Sequence, residues 1–555
     1  MEQEKEMAAA NEDAKAPVNE DAVAPASENA VAPVDEGAKF EGPTFAMVAK
    51  TMKGLEAVLA DELRALGAAD VEPGHRMVSF RGDKAMLYKA NLCCRTALRI
   101  LKPFYTFSAA DADTLYDRVK MFDWGQLLSV DSTFAIDAVV YSETFTHSRF
   151  VTYRVKDAIA DWFRDHYDGK RPGVRLDGAD VLINVHISGD EVTLSLDSSG
   201  ESLHRRGYRA AQTEAPINEV LAAGIILMSG YRGESVFLDP MCGSGTFVIE
   251  AAMIAANINP GVYRKGFAFE HWPDFDAELF ESLYNDDSNE REVKFPIIGT
   301  DISPVAIDIA TRNAKGAGVM KYITLQTKPL SQWTEAPAPN GVIVTNPPYG
   351  ERISVPDMEG LYTMIGSTLK HVFTGWEAWI IGYREEYFQK IGLAPSEKVS
   401  LLNGSLDCEL REYVIFEGNK RDFRRAGGKL KEDKPARDRK PGRKPFDGNR
   451  KMTFKDKEER RRFFTGKGKD DGHKPFGKDG RKPFGRDDRR KPFDKDARKP
   501  FGKPYEEAVE EPESENPLAK RRNPDALKML QNKMPSLAKS EGPIMRSRGW
   551  KRKDK

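Results

Sequence analysis

Three short segments between residues 239 and 352 carry residue types whose spacing suits chemistry. The first is Asp239-Pro-Met-Cys-Gly-Ser-Gly-Thr246, an acidic residue followed by two closely spaced glycines. Gly243 and Gly245 permit a tight turn in which a ligand lies against bare backbone while N–H groups of the following helix, opened by Thr246, aim at it. No Lys-Ser/Thr pair follows, so this is not a phosphate-cradling Walker A loop, and it falls short of a full G-x-G-x-x-G. Alone, such a turn serves equally as a plain strand-to-helix connection. The second segment, Gly299-Thr-Asp301-Ile-Ser303, sets a carboxylate at a strand end, just before a helix. A carboxylate there grips two ribose hydroxyls, whereas Asp301 by itself reads equally as a helix N-cap. Its pairing with the glycine turn of the preceding strand favours nucleotide binding.

The third segment is Thr345-Asn-Pro-Pro-Tyr-Gly-Glu-Arg352, directly after an apolar strand. Pro347 and Pro348 fix the backbone so that its carbonyls are not committed to secondary structure, and Asn346 offers an amide oxygen beside them. The set suits an exocyclic amino group on a nucleobase. Asn346 Oδ1 and the Pro347 carbonyl accept its two N–H bonds while Tyr349 stacks on the ring. Metal chemistry finds no such support. Cys93, Cys94, Cys242 and Cys408 include no C-x-x-C pair and the eight histidines form no H-x-x-x-H, so neither a disulfide framework nor a metal site is expected.

The elements that must position these segments follow a strand, turn, helix rhythm. After Arg209 the expected strands are Val236–Leu238, Ile297–Gly299, Ile323–Gln326, Gly341–Val344, Ala378–Gly382 and Glu412–Phe416, with helices over Phe247–Ala256 and Pro304–Ala317. That is the grammar of an α/β fold, a doubly wound, Rossmann-like parallel sheet whose ligands sit beyond the carboxyl ends of the strands. Before it, order begins near Phe45. A helix over Lys53–Leu66, with Leu55, Val58, Leu59, Leu63 and Leu66 on one stripe, leads to a short strand, Met77–Phe80. Phe134–Val140, a helix around Val155–Phe163, Val181–Ile187 and Val192–Leu196 then form a small α+β unit.

Of the 555 residues, 31% are charged and 40% hydrophobic, with a mean hydropathy of -0.56, too polar for a chain folded along its whole length. The net charge of -1 conceals an asymmetry: about -8 over residues 1–43, about -14 over 44–419, about +18 over 420–504 and about +3 beyond. Residues 1–43 repeat an Asn-Glu-Asp-Ala-x-Ala-Pro theme and read as a disordered acidic extension. Residues 419–555 read as a disordered basic tail with Lys-Pro-Phe copies at Lys444, Lys474, Lys482, Lys491 and Lys499; a short amphipathic helix over Asn523–Leu537 competes with weak residual structure. Interleaved Lys, Arg and Phe supply phosphate neutralisation and base stacking without a fixed shape, which points to RNA, though a merely solubilising tail has the same composition. Within the acidic folded region, Arg205, Arg206 and Arg209 are the expected RNA-binding patch. No apolar run reaches the roughly 18 residues of a membrane span, and the acidic N-terminus lacks signal-peptide character, so no membrane partner and a cytoplasmic location are expected.

The three segments resemble the cofactor turn, ribose carboxylate and N-P-P-Y of class I S-adenosylmethionine-dependent amino-methyltransferases. Over most of residues 44–418 the resemblance narrows. Lys53-Gly-Leu-Glu56, Asn91-Leu-Cys-Cys-Arg95, Asp197-Ser-Ser-Gly-Glu-Ser-Leu-His-Arg-Arg-Gly-Tyr208, Ala215-Pro-Ile-Asn218 and Leu402-Asn-Gly-Ser-Leu-Asp-Cys408 are similar to segments of the bacterial large-subunit (23S) rRNA guanine-N2 methyltransferases. The resemblance implies a ferredoxin-like segment (44–109), a THUMP RNA-binding domain (110–200) and a methyltransferase domain (208–418). It implies S-adenosylmethionine as cofactor, held by Asp239, Gly243, Gly245, Thr246, Asp301 and Asn346, with Asn346, Pro347, Pro348 and Tyr349 at the target guanine. The expected partner is 23S rRNA or a large-subunit assembly intermediate. Relatives often carry an Asp after the third strand for the adenine amino group, where this chain reads Gln326-Thr-Lys-Pro329. Some also fuse a second methyltransferase domain where this chain has its charged tail. A tRNA guanine-N2 methyltransferase, a DNA amino-methyltransferase and a non-catalytic RNA-binding assembly factor remain the alternatives.

Overall fold

The computed structural model describes residues 42–176, 178–350, 356–418 and 420–425. The first half is built on eight strands, β1 (Phe45–Lys50), β2 (Ala69–Gly74), β3 (Met77–Gly82), β4 (Arg99–Ser108), β5 (Thr133–Tyr141), β6 (Gly173–Val174), β7 (Val181–Ser188) and β8 (Glu191–Asp197). They form one sheet in the order β2-β3-β1-β4-β8-β7-β5-β6. β4 joins its two parts. Residues Arg99–Leu101 pair with Lys50–Val48, and Leu101–Ser108 pair with β8. Helix α1 (Glu56–Ala65) packs on β2 and β3, α2 (Lys84–Cys93) on β3 and β4, and α4 (Ser148–His166) on β5, with α3 (Ala112–Met121) against α4. α1 begins later than its apolar stripe suggests, because Gly54 adopts a left-handed φ of 90° that no helix continues.

The second half holds β9 (Val236–Asp239), β10 (Ile297–Asp301), β11 (Ile323–Thr327), β12 (Gly341–Thr345), β13 (Glu377–Gly382), β14 (Glu397–Asn403) and β15 (Leu406–Val414), in the order β11-β10-β9-β12-β13-β15-β14. Helices α5 (Glu219–Met228), α6 (Thr246–Ala255), α7 (Ala277–Tyr284), α8 (Pro304–Gly316), α9 (Met358–Val372) and α10 (Glu385–Ile391) alternate with these strands. β9 to β13 pair in parallel, and β15 runs antiparallel to both neighbours. β9 and β12 are buried along their whole length, which explains their unbroken apolar runs. Successive side chains enter different cores: Val236, Leu238 and Ile343 pack with Trp376 and Phe373, while Phe237, Val342 and Val344 pack with α5 and α6. α6 is buried on all sides, so it carries no polar stripe.

The strand expected over Glu412–Phe416 lies at Leu406–Val414 and is antiparallel, and β14 precedes it in a hairpin that was not expected. Asn403 pairs with Leu406 across Gly404, whose φ is +66°. The two halves meet at Lys53-Gly-Leu55. Leu55 is fully buried against Gly224 of α5, where a Cβ would lie 2.5 Å from Leu55 Cδ2. A Cβ on Gly54 would lie 2.7 Å from the Ser400 carbonyl of β14. The acidic N-terminal repeat, the Lys-Pro-Phe copies, Asn523–Leu537, and Glu351 with Arg352 of the third motif lie outside the described residues.

Candidate active site

The three chemical segments converge at the carboxyl ends of β9, β10 and β12, where strand order reverses between β9 and β12. This is the crevice in which open α/β sheets bind ligands. Asp239 ends β9 and is 1% exposed. Its Oδ1 accepts from Thr345 Oγ1 at 2.9 Å and from the Met241 amide at 3.2 Å, which ties the first motif to the third. Burial pushes the Asp239 carboxyl up to about 7, and the nearby Asp301 acts in the same direction, against those two donors.

The glycine turn is built on backbone. Cys242 N donates to the Thr300 carbonyl of β10, and Gly245 N to the Cys242 carbonyl. Gly243 and Gly245 have φ of +51° and +84°. Gly245 has a packing reason as well, since a Cβ there would lie 2.9 Å from Ala310 Cβ on α8. A Cβ on Gly243 would meet only Thr213 Oγ1, at 3.6 Å, so that stretch of backbone is open to a ligand. Asp301 reaches back to the turn, its Oδ2 accepting from Gly243 N at 2.9 Å and its Oδ1 from Ser303 N at 2.9 Å. The N-cap of α8 is Ser303, whose hydroxyl accepts from Ala306 N, so the reading of Asp301 as that cap does not hold. Each Asp301 oxygen keeps acceptor capacity for a hydroxyl.

Asn346 follows β12. Its Oδ1 is buried with no hydrogen-bond partner, a state that costs about 1–3 kcal/mol unless a donor arrives. Pro347 is buried, and Pro348 and Tyr349 are half-buried. The Tyr349 hydroxyl accepts from Asn403 Nδ2 at 2.8 Å, so the end of β14 fixes the ring. An acceptor that lacks a donor, one residue after the Thr345 that bonds the buried Asp239 and three before Tyr349, is an arrangement that can hold an amine.

Two sequence expectations need correction. Arg206 is 2% exposed, pairs with Glu250 of α6 at 3.4 Å, and donates to the Leu203 and Arg95 carbonyls, so it is closed to RNA. Arg209 is also turned inward: Nε bonds Glu219 at 2.7 Å, while Nη1 and Nη2 bond Ser244 Oγ and Thr246 Oγ1, each at 3.0 Å. Of the three arginines only Arg205 is exposed, in an ion pair with Glu201. The Thr246 hydroxyl accepts from Arg209, and its backbone opens α6 directly after the glycine turn. Sequence reasoning also missed Asn403, Asn313 and Ile302. Ile302 is 73% exposed directly after Asp301, an apolar side chain in the open where burial would be ordinary, and Val305 beside it is 65% exposed. The signal for Asn403 was the Asn-Gly of a hairpin; nothing local announced Asn313.

The RMKL-like methyltransferase domain family matches residues 206–412, the RlmL ferredoxin-like domain 46–101 and the THUMP domain 109–197. A Synechocystis protein that carries an RNA methyltransferase name is 40% identical over 377 residues, 67% of this chain and 97% of its own. A "Ribosomal RNA large subunit methyltransferase K/L" of Syntrophotalea carbinolica is 40% identical over 378 residues, 66% of this chain and 53% of its own. The chain thus spans about half the length of the K/L relatives it matches. Among solved structures, one described as a methyltransferase complexed with SAH is 32% identical with a TM-score of 0.61, over 68% of this chain and 99% of that one. The residues at the crevice fit such a cofactor, with a carboxylate at each of two strand ends, bare backbone at Gly243 and an apolar side chain in the open at Ile302. The chain belongs to the family of S-adenosylmethionine-dependent methyltransferases that join a ferredoxin-like domain and a THUMP domain to an RMKL-like catalytic domain.

Proposed function

We propose that the protein transfers a methyl group from S-adenosylmethionine to the exocyclic N2 amine of a guanine in RNA. The RNA in this reading is large-subunit ribosomal RNA, free or within an assembly intermediate, and the reaction is cytoplasmic. The observation that carries the reading is Asn346 Oδ1, a buried acceptor with no partner, at the carboxyl end of β12. An exocyclic amine supplies the missing donor, with the Pro347 carbonyl as second acceptor and Tyr349, held by Asn403, as the stacking face. The Asp239–Gly245 turn and the Asp301 carboxylate would hold the cofactor, Asp301 through its ribose hydroxyls, and the exposed Ile302 beside it would offer an apolar surface to the base. The cofactor would supply a methyl already activated on a sulfonium. As the N–C bond forms the C–S bond breaks to leave the neutral thioether, and the surplus amine proton leaves to solvent after transfer, so no strong general base is required. Asn346 and Pro347 orient the amine in line, and positioning supplies most of the rate. Asp239, buried and beside a cationic ligand, gains from ionising. The THUMP match and the K/L names of relatives at 35–40% identity support RNA, and ribosomal RNA in particular.

Nucleoside mass spectrometry of rRNA, tRNA and DNA from cells with and without the gene tests this. Loss of one N2-methylguanosine from large-subunit rRNA is the expected result. Loss from tRNA alone moves the substrate, loss of a methylated amine from DNA replaces RNA by DNA, and no loss anywhere leaves a non-catalytic factor.

A further inference from the structure

The segment from Leu203 to Ala211 carries the chain from the first sheet to the catalytic domain, and two of its three arginines, Arg206 and Arg209, are turned into the protein. Arg209 is the best connected of them. Its Nε bonds Glu219 Oε1, its Nη1 bonds Ser244 Oγ, and its Nη2 bonds Thr246 Oγ1 and, at 3.4 Å, the Ile217 carbonyl. Ser244 and Thr246 are each 3% exposed, and they flank Gly245 in the turn. Asn313 of α8 adds a second tie: Oδ1 accepts from the Ala210 and Ala211 amides, while Nδ2 donates to the Ala211 and Ser244 carbonyls.

A turn with two glycines at positive φ has more backbone freedom to lose than any other sequence, so something outside it must select the bound shape. The planar guanidinium fork suits that task, because it holds two hydroxyls at a fixed separation while Glu219 orients it from behind. We propose that Arg209 is a positioning residue for the cofactor: it grips Ser244 and Thr246 and so holds the Gly243–Gly245 turn in its binding shape. This rests on the reading of that turn as the cofactor site. It reassigns a residue whose place in a basic sequence run pointed to RNA. At 18% side-chain exposure, with Nε and both terminal nitrogens engaged inside the protein, Arg209 offers little to a phosphate.

Arg209→Lys tests it in the full-length protein. Lysine keeps the charge that faces Glu219 but cannot bridge both hydroxyls. Calorimetry should show S-adenosylhomocysteine binding about tenfold weaker or more, the loss expected from one or two charge-assisted hydrogen bonds. The unfolding midpoint should stay within about 5 °C of wild type. Affinity for bulk rRNA from cells lacking the protein, and its salt dependence, should not change. Ser244→Ala with Thr246→Val, added to Arg209→Lys, should cost little more, because all three changes break the same interaction. Should Arg209→Lys fail to fold, the Ser244→Ala, Thr246→Val pair alone should reproduce the tenfold loss, and unchanged affinity there overturns the proposal. So do unchanged S-adenosylhomocysteine affinity with a shallower RNA salt slope, which makes Arg209 a phosphate ligand, and fully additive losses, which deny that it acts through the turn. Asp301→Ala is the control: if it weakens binding and Arg209→Lys does not, only this proposal falls, and if neither does, the reading of the cofactor site falls with it.

Discussion

Burial holds the Asp239 carboxyl at about 7 in the folded chain, against an ordinary 3.8, although Thr345 and the Met241 amide both donate to it. A carboxyl whose folded pKa is raised binds its proton more tightly when folded, so its share of stability is present at low pH and lost as pH rises from about 4 through 7. Asp239→Asn keeps an acceptor for Thr345 Oγ1 and removes the charge. It should therefore be more stable than wild type at pH 8, by on the order of a few kcal/mol, and unfold at a higher temperature there, with little difference at pH 4. Calorimetric titration should show the opposite trend for function. Wild-type affinity for S-adenosylmethionine should tighten as pH rises through 7, and the Asn variant should bind weakly with no such dependence; a flat wild-type profile removes Asp239 from the cation's surroundings. Asn346→Ala separates binding from chemistry. S-adenosylhomocysteine affinity should stay near wild type while single-turnover methylation falls by about 10²–10³, the usual loss for one positioned polar group, and full activity would sink the role of its orphan oxygen. That Asp239, Asp301 and Asn346 would come together at strand ends was legible in the sequence, because motif residues sit where the backbone changes direction. Arg206 was not. Its partner Glu250 lies 44 residues further on, and a basic run reads the same whether it faces phosphate or a buried carboxylate. The one hint was the lone Glu in the otherwise apolar α6.

Elements with both faces buried were the easiest to read, since β9, β10, β12 and β13 are short apolar runs that end at turn residues. β4 escaped because Pro103 lies inside it. The structure accommodates that proline at a register shift against β8, between Pro103 and Tyr105, where a missing N–H is tolerated. β14 escaped because its first residues alternate with solvent at the sheet edge, Glu397 and Lys398 among them. That hairpin matters for the site, since it carries the amide that holds Tyr349. Tyr349→Phe and Asn403→Ala should each slow methyl transfer by a similar amount, worth about 0.5–1.5 kcal/mol. The double variant should be no slower than either single one, because both changes remove the same bond. Additive losses would mean that Asn403 supports the site by some other route than the tyrosine ring.

At the scale of the whole chain, charge and fold are separated along the sequence. Residues 44–419 sum to about -14 and residues 420–504 to about +18, so the part that holds the cofactor crevice is the part an RNA backbone repels on average. Phe423 stacks on Phe416 with ring centroids 4.4 Å apart, so the catalytic domain extends at least to Arg425, and a cut after that residue leaves this stacked pair in place. Removing residues 426–555 should accordingly preserve the unfolding midpoint and S-adenosylhomocysteine affinity. Turnover at saturating RNA should also survive, since Asp239, Asp301 and Asn346 all lie upstream. Capture of RNA should not survive intact. For every phosphate that the shortened protein no longer neutralises, the fall of affinity with salt becomes shallower by about 0.7–0.9 log unit per log unit of salt, so the full-length protein should show the steeper slope and the tighter binding at low salt. The five Lys-Pro-Phe copies allow stacking as well as charge, and changing their phenylalanines to alanine should weaken binding without altering the slope. Identical salt slopes for the full-length and shortened proteins would show that the basic segment does not neutralise RNA phosphates, and would leave the THUMP and ferredoxin-like half to capture the substrate against the net charge of residues 44–419.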